Sequence, residues 1–92
     1  MKKLKINQDF VIRQVADNMV LLNSKTGDYF GLNQVGTDFI RLLQNNIEYD
    51  EIIRTMLTLY DVEASVLRAD IDELAAKMLA KSILIDQTES GK

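Results

Sequence analysis

The chain has 92 residues, a length at which one hydrophobic core and one domain are expected. Hydrophobic residues make up 47% and charged residues 27%, which indicates a folded globular protein rather than a disordered one. Because the sequence contains neither Cys nor His, disulfides, thiolate or imidazole catalysis and Cys/His zinc sites are excluded.

Charge is unevenly distributed along the chain, whose net charge is -3. Residues 1–25 hold five Lys or Arg against two Asp or Glu, whereas residues 26–86 hold five against eleven. Nucleic-acid binding depends on Lys and Arg that neutralise several phosphates. The acidic second half of the chain therefore argues against nucleic acid as a partner.

Three lysines near the start imitate the first region of a signal peptide, but the polar residues Asn7, Gln8 and Asp9 follow before any apolar segment. The apolar runs are only a few residues long, whereas crossing a bilayer takes roughly 20. We therefore expect a cytoplasmic protein that makes no contact with a membrane.

Residues 10–33 are expected to form three short antiparallel strands. Their approximate ranges, set by alternating or continuous apolar residues, are 10–15, 19–22 and 28–33. Gly27 ends the loop between the last two strands, where hairpins of this length usually need a positive φ. Phe30 and Leu32 should share one face of the third strand, with Tyr29, Gly31 and Asn33 on the other.

Gly31 is unusual because it lies inside a strand pattern. Glycine weakens a strand and often marks a bulge or the close approach of another backbone, and accommodation of a neighbouring helix is the alternative explanation. If this strand lies at the sheet edge, its free N–H and C=O groups form a template for an extended peptide. Such an edge also permits a dimer as well as a monomer.

Three helices are expected after Leu32, at which point the apolar period changes from two to about 3.6 residues. Asn33 is a favourable N-cap for the first helix, which should end at 45–46, and the third should begin near Ala64. In the third helix the predicted buried stripe is Leu67, Ile71, Leu74 and Met78, with Ala75 beside it. A charged line follows the same spacing and consists of Asp70, Glu73, Lys77 and Lys81.

The predicted fold class is α+β, with a three-stranded antiparallel sheet followed by three helices, as in a winged helix-turn-helix. No linker or repeat divides the chain, so we expect a single domain over residues 1–92 with an ordered core at about 8–86. Residues 83–85 should end this core as a short extended packing segment.

Carboxylates are the remaining candidates for acid-base chemistry, and they are densest at Asp70, Asp72 and Glu73. On a helix Asp72 points away from the other two, so we interpret the group as a solvated face, with weak binding of a hard cation as the alternative. The glycines do not form a phosphate loop. We therefore predict no enzymatic activity, no metal and no cofactor.

One stretch carries a family resemblance. Residues 25–36 read KTGDYFGLNQVG, which matches the pattern T-G-x-Y-F/Y-x-L-N-x-x-G. Further matching pieces follow in order and at suitable spacing, namely FI at 39–40, LL at 42–43, YDEII at 49–53, LYDV at 59–62, DI at 70–71 and Leu74. Over residues 10–85 the chain resembles the PqqD-like family, the peptide chaperones that contain a RiPP recognition element.

The resemblance implies a non-catalytic domain of natural product biosynthesis that binds the leader segment of a ribosomally made precursor peptide. In that family the leader adds as an antiparallel strand to the third strand and lies between that strand and the third helix. The residues implied to bind peptide are Asp28, Tyr29, Phe30, Gly31, Leu32 and Asn33 from the strand and Leu67, Asp70, Ile71, Leu74 and Lys77 from the helix. The implied partner enzyme is either a radical SAM enzyme or a leader peptidase and cyclase.

Two alternatives belong to other functional classes. A winged-helix regulator would read DNA with its third helix, but the charges here are Glu63, Asp70, Asp72 and Glu73 against Arg68, Lys77 and Lys81. This acidic excess disfavours DNA binding. A docking subunit of a larger complex is not distinguished by sequence, because a docking surface and a peptide cleft have similar composition.

Overall fold

The computed structural model describes residues 3–87. Its elements in chain order are β1 (Leu4–Ile6), β2 (Phe10–Val15), β3 (Asn18–Asn23), β4 (Tyr29–Gly31), α1 (Gln34–Gln44), α2 (Tyr49–Leu59), α3 (Ala64–Ala80) and β5 (Leu84–Asp86). Strands β2, β3 and β4 form an antiparallel sheet in that order. The predicted α+β arrangement, a three-stranded sheet followed by three helices, is confirmed.

The sheet has one face against the helices and one face toward solvent. Ile12 pairs with Leu21, which pairs with Phe30, and this cross-strand row contains the fully buried Leu21. Tyr29 lies on the opposite face and is 75% exposed. Alternation along β4 therefore follows the sequence prediction, because successive side chains of a strand point to opposite faces.

The β3–β4 hairpin closes through a turn that places one residue, Gly27, at a positive φ. Gly27 has a φ of +83°, and its N–H donates to the carbonyl of Asn23 at 2.8 Å. The side-chain oxygen of Asn23 accepts from the N–H groups of Lys25 and Thr26 at 2.8 and 3.1 Å. The predicted positive φ of Gly27 is confirmed.

Replacing Gly27 with Val is expected to lower the free energy of unfolding by about 1 kcal/mol or more, because a β-branched residue is strained at positive φ. Gly27→Asn is the matched control, since Asn tolerates the left-handed region. Urea denaturation of the three proteins measures the difference. An unchanged midpoint for Gly27→Val would contradict the turn assignment.

Helix α1 begins and ends where the sequence indicates. The side-chain oxygen of Asn33 accepts from the N–H of Gly36 at 2.9 Å, which satisfies one of the unpaired donors of the first turn. Asn45 is the C-cap and Asn46 adopts a φ of +64°, a conformation that Asn tolerates better than most residues. Both ends of α1 are therefore set by local residues, which is why the sequence predicts them.

Helix α3 buries most of the predicted stripe. Its buried residues are Leu67, Ile71, Ala75 and Met78, whereas Leu74 is only half-buried. Since 3.6 residues complete a turn, Ala75 aligns with Ile71 and Met78, and Leu74 falls between this stripe and the charged line. Leu74 therefore packs against the core only in part, at the border of the predicted stripe, whereas Ala75, predicted beside the stripe, is buried.

A buried polar contact joins α1 to the sheet. Thr37 is fully buried, and its hydroxyl oxygen accepts from the N–H of Met19 in β3 at 3.0 Å. Around it lies the apolar core, in which Phe39 meets Tyr49 edge to face with ring centroids 6.1 Å apart. The contact holds β3 in register against α1 and so helps to place β4.

Strands β1 and β5 were not predicted as a sheet. Leu4 pairs with Asp86 and Ile6 with Leu84, and the N–H of Gln87 donates to the carbonyl of Lys3 at 2.8 Å. The expectation that residues 83–85 form an extended segment is close to the observed β5. Its partner β1 lies in the lysine-rich start of the chain, for which no strand is predicted.

Two tyrosine hydroxyls connect the helices. The Tyr49 hydroxyl donates to the carboxylate of Asp72 in α3, and the Tyr60 hydroxyl donates to that of Asp38 in α1, both at 2.5 Å. Burial, followed by the hydrogen bond with Asp38, raises the pKa of Tyr60 to about 12. Burial and the contact with Asp72 also raise the pKa of Tyr49 above its ordinary value.

These raised tyrosine pKa values predict a loss of stability in alkali. Above pH of about 10 an unfolded tyrosine loses its proton, whereas Tyr49 and Tyr60 keep theirs in the folded state. The stabilisation is therefore complete below pH of about 10 and declines as the pH rises toward 12. Urea midpoints measured across this window should fall less steeply for the Tyr49→Phe/Tyr60→Phe variant than for the wild type. Equal slopes would contradict the assignment.

Candidate functional site

Strand β4 forms one edge of the three-stranded sheet, and within residues 3–87 it pairs only with β3. The Leu32 N–H donates to the Met19 carbonyl at 3.0 Å, and the Asp28 carbonyl accepts from the Asn23 N–H at 2.7 Å. Inward-facing and outward-facing backbone groups alternate along an antiparallel strand. The N–H and C=O groups of Tyr29 and Gly31 therefore point away from β3, toward the open edge.

Gly31 leaves space at this edge. A Cβ atom built on Gly31 would meet nothing within 4 Å. Packing against a helix of the described chain therefore does not explain the glycine. Of the two interpretations that the sequence left open, the close approach of another backbone is the one that agrees with this geometry.

A depression of about 580 Å³ borders β4 at its first residues, and we call it the hairpin pocket. Its wall combines apolar side chains with polar groups, among which Asp28 and Lys81 supply opposite charges. Its lining consists of Phe10, Asn23, Gly27, Asp28, Tyr29, Phe30, Lys81 and Ile83. This pocket is suited to a bulky side chain beside the first half of β4.

A second depression, of about 280 Å³, lies between the end of β4 and the middle of α3, and we call it the helix groove. Val35 and Leu74 form its apolar part, and the charged residues of α3 form its border. The lining residues are Asn33, Val35, Asp70, Glu73, Leu74 and Lys77. The helix groove and the hairpin pocket follow the same edge, so we refer to both together as the cleft.

The charged line of α3 runs along this cleft. Among residues 3–87, none of Asp70, Glu73, Lys77 and Lys81 takes part in an ion pair or a side-chain hydrogen bond. Asp72 belongs to another face, because its carboxylate accepts the Tyr49 hydroxyl. The predicted divergence of Asp72 from Asp70 and Glu73 is thus observed, and the described residues contain no cluster of three potential metal ligands.

The structure brings most of the predicted peptide-binding residues to the cleft. The hairpin pocket contains Asp28, Tyr29 and Phe30, and the helix groove contains Asn33, Asp70, Leu74 and Lys77. Gly31 lies on the open edge between them. Leu32, Leu67 and Ile71 are instead buried, at 7%, 2% and 0% exposure, so in the free protein they support the cleft from the core. Peptide contact by these eleven residues stays a prediction.

Several lining residues were not predicted as site residues. Glu73 and Lys81 lie on the charged line that the sequence already showed, so helical spacing alone was sufficient to find them. Phe10, Asn23 and Ile83 come from three separate parts of the chain. No local pattern connects them, because the chain brings them together only by folding.

The described residues include no helix that is both long and apolar enough to span a bilayer.

The structure is similar to that of TbiB1 in complex with the TbiA(beta) leader peptide, with a TM-score of 0.82 and 28% identity over 95% of this chain and 99% of that chain. It is also similar to lasso peptide synthetase B1 complexed with the leader peptide, with a TM-score of 0.82 and 19% identity over 90% of this chain and 98% of that chain.

No curated protein sequence matches the chain. A family model does match it, however, and that model describes coenzyme PQQ synthesis protein D, or PqqD. The match extends over residues 18–84, from the start of β3 into β5, and so includes both walls of the cleft. The chain belongs to the PqqD family.

Proposed function

We propose that this protein is a non-catalytic peptide chaperone, which binds the leader segment of a ribosomally made precursor peptide and presents it to a modifying enzyme. The observation that carries the proposal is the open edge of β4 beside the cleft. Both similar structures contain a leader peptide bound to their own proteins. Because ribosomal precursors are made in the cytoplasm, the proposal includes a cytoplasmic location.

The proposed binding mode is strand addition. An antiparallel leader strand would exchange hydrogen bonds with the outward N–H and C=O groups of Tyr29 and Gly31, which supply affinity for any sequence. Alternate side chains of the leader would lie on the same face as Phe30 and enter the cleft beside Leu74. Main-chain bonds thus hold the leader, and the two depressions select it.

The modifying enzyme is proposed to be either a radical SAM enzyme or a leader peptidase and cyclase. The genes beside the one for this chain separate these candidates, because they would encode either a radical SAM enzyme or a protease and a cyclase. We propose no catalytic role for the chain itself. Cys and His are absent from its sequence, and the described carboxylates along the cleft do not converge on one point.

Calorimetric titration tests the proposal with three ligands: the leader half of a precursor encoded nearby, its core half, and random duplex DNA. For a small strand-addition interface we expect the leader half to bind with a Kd between about tens of nanomolar and micromolar. Salt should weaken this binding only modestly, unlike that of a DNA complex. Binding confined to the core half, or tight salt-sensitive binding to the duplex, would refute the proposal.

The substitution Asp70→Lys is expected to weaken the binding of a leader whose basic residue lies beside Asp70. Asp70 is exposed, so the effect should be about two- to fivefold in Kd, with little change in stability. Asp61→Lys is the matched control, because it makes the same charge change at an exposed residue outside the cleft lining. Equal Kd values for the two variants would show that Asp70 does not contact the leader.

A further inference from the structure

The charged line of α3, which has no ion-pair partner among residues 3–87, is ordered along the cleft. Asp70 and Glu73 border the helix groove, which also contains Asn33 at the far end of β4. Lys81, directly after α3, borders the hairpin pocket together with Tyr29 at the near end of β4. The acidic residues therefore lie beside the end of β4 and the last basic residue beside its start, so α3 runs along the cleft in the direction opposite to β4.

A strand that pairs antiparallel with β4 runs in the same direction as α3. Its first residues lie beside Asp70 and Glu73, and its last residues lie beside Lys81. Antiparallel pairing is slightly more stable per residue than parallel pairing. Along an added strand, from its N-terminal to its C-terminal end, the charge of the cleft therefore changes from acidic to basic.

The spacing of the charges matches the period of a strand. From Asp70 to Lys81 the helix rises by about 16 Å, at about 1.5 Å per residue. Side chains on one face of a strand recur about every 7 Å, so positions i, i+2 and i+4 cover about 14 Å. Leu74 lies between the two charged ends and is half-buried. Leader positions i, i+2 and i+4 therefore lie beside an acidic, an apolar and a basic part of the cleft, respectively.

Each end also contains one charge of the other sign. Lys77 borders the helix groove, where it is outnumbered by Asp70 and Glu73. Asp28 borders the hairpin pocket, where the neutral Thr26 hydroxyl donates to its carboxylate at 3.1 Å and holds it at the turn without cancelling its charge. Asp28 belongs to the turn rather than to α3, so the order of charges along the helix wall of the cleft is still acidic first and basic last.

We infer that the cleft selects leaders that read, from N to C, Lys/Arg-x-apolar-x-Asp/Glu, and that the charges on α3 thereby fix the direction of the bound strand. The inference rests on the proposed function and specifies the ligand of the same cleft. Opposite charges favour this order, whereas the reversed order places like charges together at both ends.

A displayed peptide library tests this inference. The peptides share a Thr-rich strand host with Leu at i+2, and positions i and i+4 vary among Lys, Glu and Gln. Sequencing after capture on the full-length protein at low salt should show Lys-x-Leu-x-Glu enriched by about tenfold over Glu-x-Leu-x-Lys, since two exposed pairs change from repulsion to attraction. At about 1 M salt, where the screening length is about 3 Å, the preference should largely disappear.

Two variants of unchanged net charge complete the test. In Asp70→Lys/Lys81→Glu the preference should be lost or reversed, and in Glu51→Arg/Arg54→Glu, an exposed pair on α2, it should be retained. Circular dichroism establishes that both variants are folded. Library members captured without any charge order, or in the reversed order, would overturn this inference alone. Capture of no member above protein-free beads would overturn the proposed function together with it.

Discussion

Replacing Gly31 with Pro is expected to weaken leader binding by at least about tenfold while the protein remains folded. The N–H of Gly31 points to the open edge, so its loss removes no bond of the β3–β4 ladder. A leader strand, however, would lose a donor and keep a desolvated carbonyl, which costs about 1–3 kcal/mol. Calorimetric titration of the leader and a urea denaturation curve measure the two effects separately.

Two controls make this result specific. Gly31→Ala keeps the N–H and places its Cβ in space that is open in the free protein, so it should bind the leader more tightly than Gly31→Pro does. Phe30→Pro removes an N–H that points toward β3 and should therefore unfold the hairpin. If Gly31→Pro is folded and binds the leader with unchanged affinity, the leader does not add to β4.

Replacing Thr37 with Val is expected to lower the free energy of unfolding by about 1–3 kcal/mol. Thr37 is fully buried and its hydroxyl accepts the N–H of Met19, so the nearly isosteric Val leaves that donor buried without a partner. Because the cavity change is small, the cost reports the hydrogen bond rather than packing. The midpoint of urea or thermal unfolding measures it.

Thr37→Ser is the matched control, because it keeps the hydroxyl and removes only a methyl group. It should therefore be less destabilising than Thr37→Val, although it is the smaller residue. The reverse order would mean that the methyl group of Thr37, rather than its hydroxyl, stabilises the contact between α1 and β3.

Much of the fold could be predicted because its signals are local. Asn33 caps α1 through its own side chain, Gly27 provides the positive φ, and the helical period gives all three helices. The β1–β5 pairing could not be predicted in this way. Each strand has three residues, and the two are separated by most of the chain, so neither periodicity nor a turn signal connects them.

The candidate site, like the fold, could be predicted only where its residues lie on one element. The charged line of α3 and the strand Asp28 to Asn33 were visible in the sequence, because each lies on one element. Leu67 and Ile71 belong to the predicted buried stripe and are buried in the free protein, so their contact with a leader stays a prediction. The hairpin pocket was not visible, since Phe10 and Ile83 meet there from opposite ends of the chain.

The hydrogen bond from Gln87 to Lys3 makes the described chain almost a closed ring. A circular permutant can therefore join these two positions with a short linker and open the chain elsewhere, for example at the exposed Asn45 and Asn46, away from the cleft lining. In such a permutant β5 precedes β1 directly, so the pairing with the largest sequence separation becomes a hairpin. The loop-closure entropy of that step falls, whereas the packing of α1 on α2 then joins the two ends of the chain, so the permutant changes which contacts are local without altering the cleft.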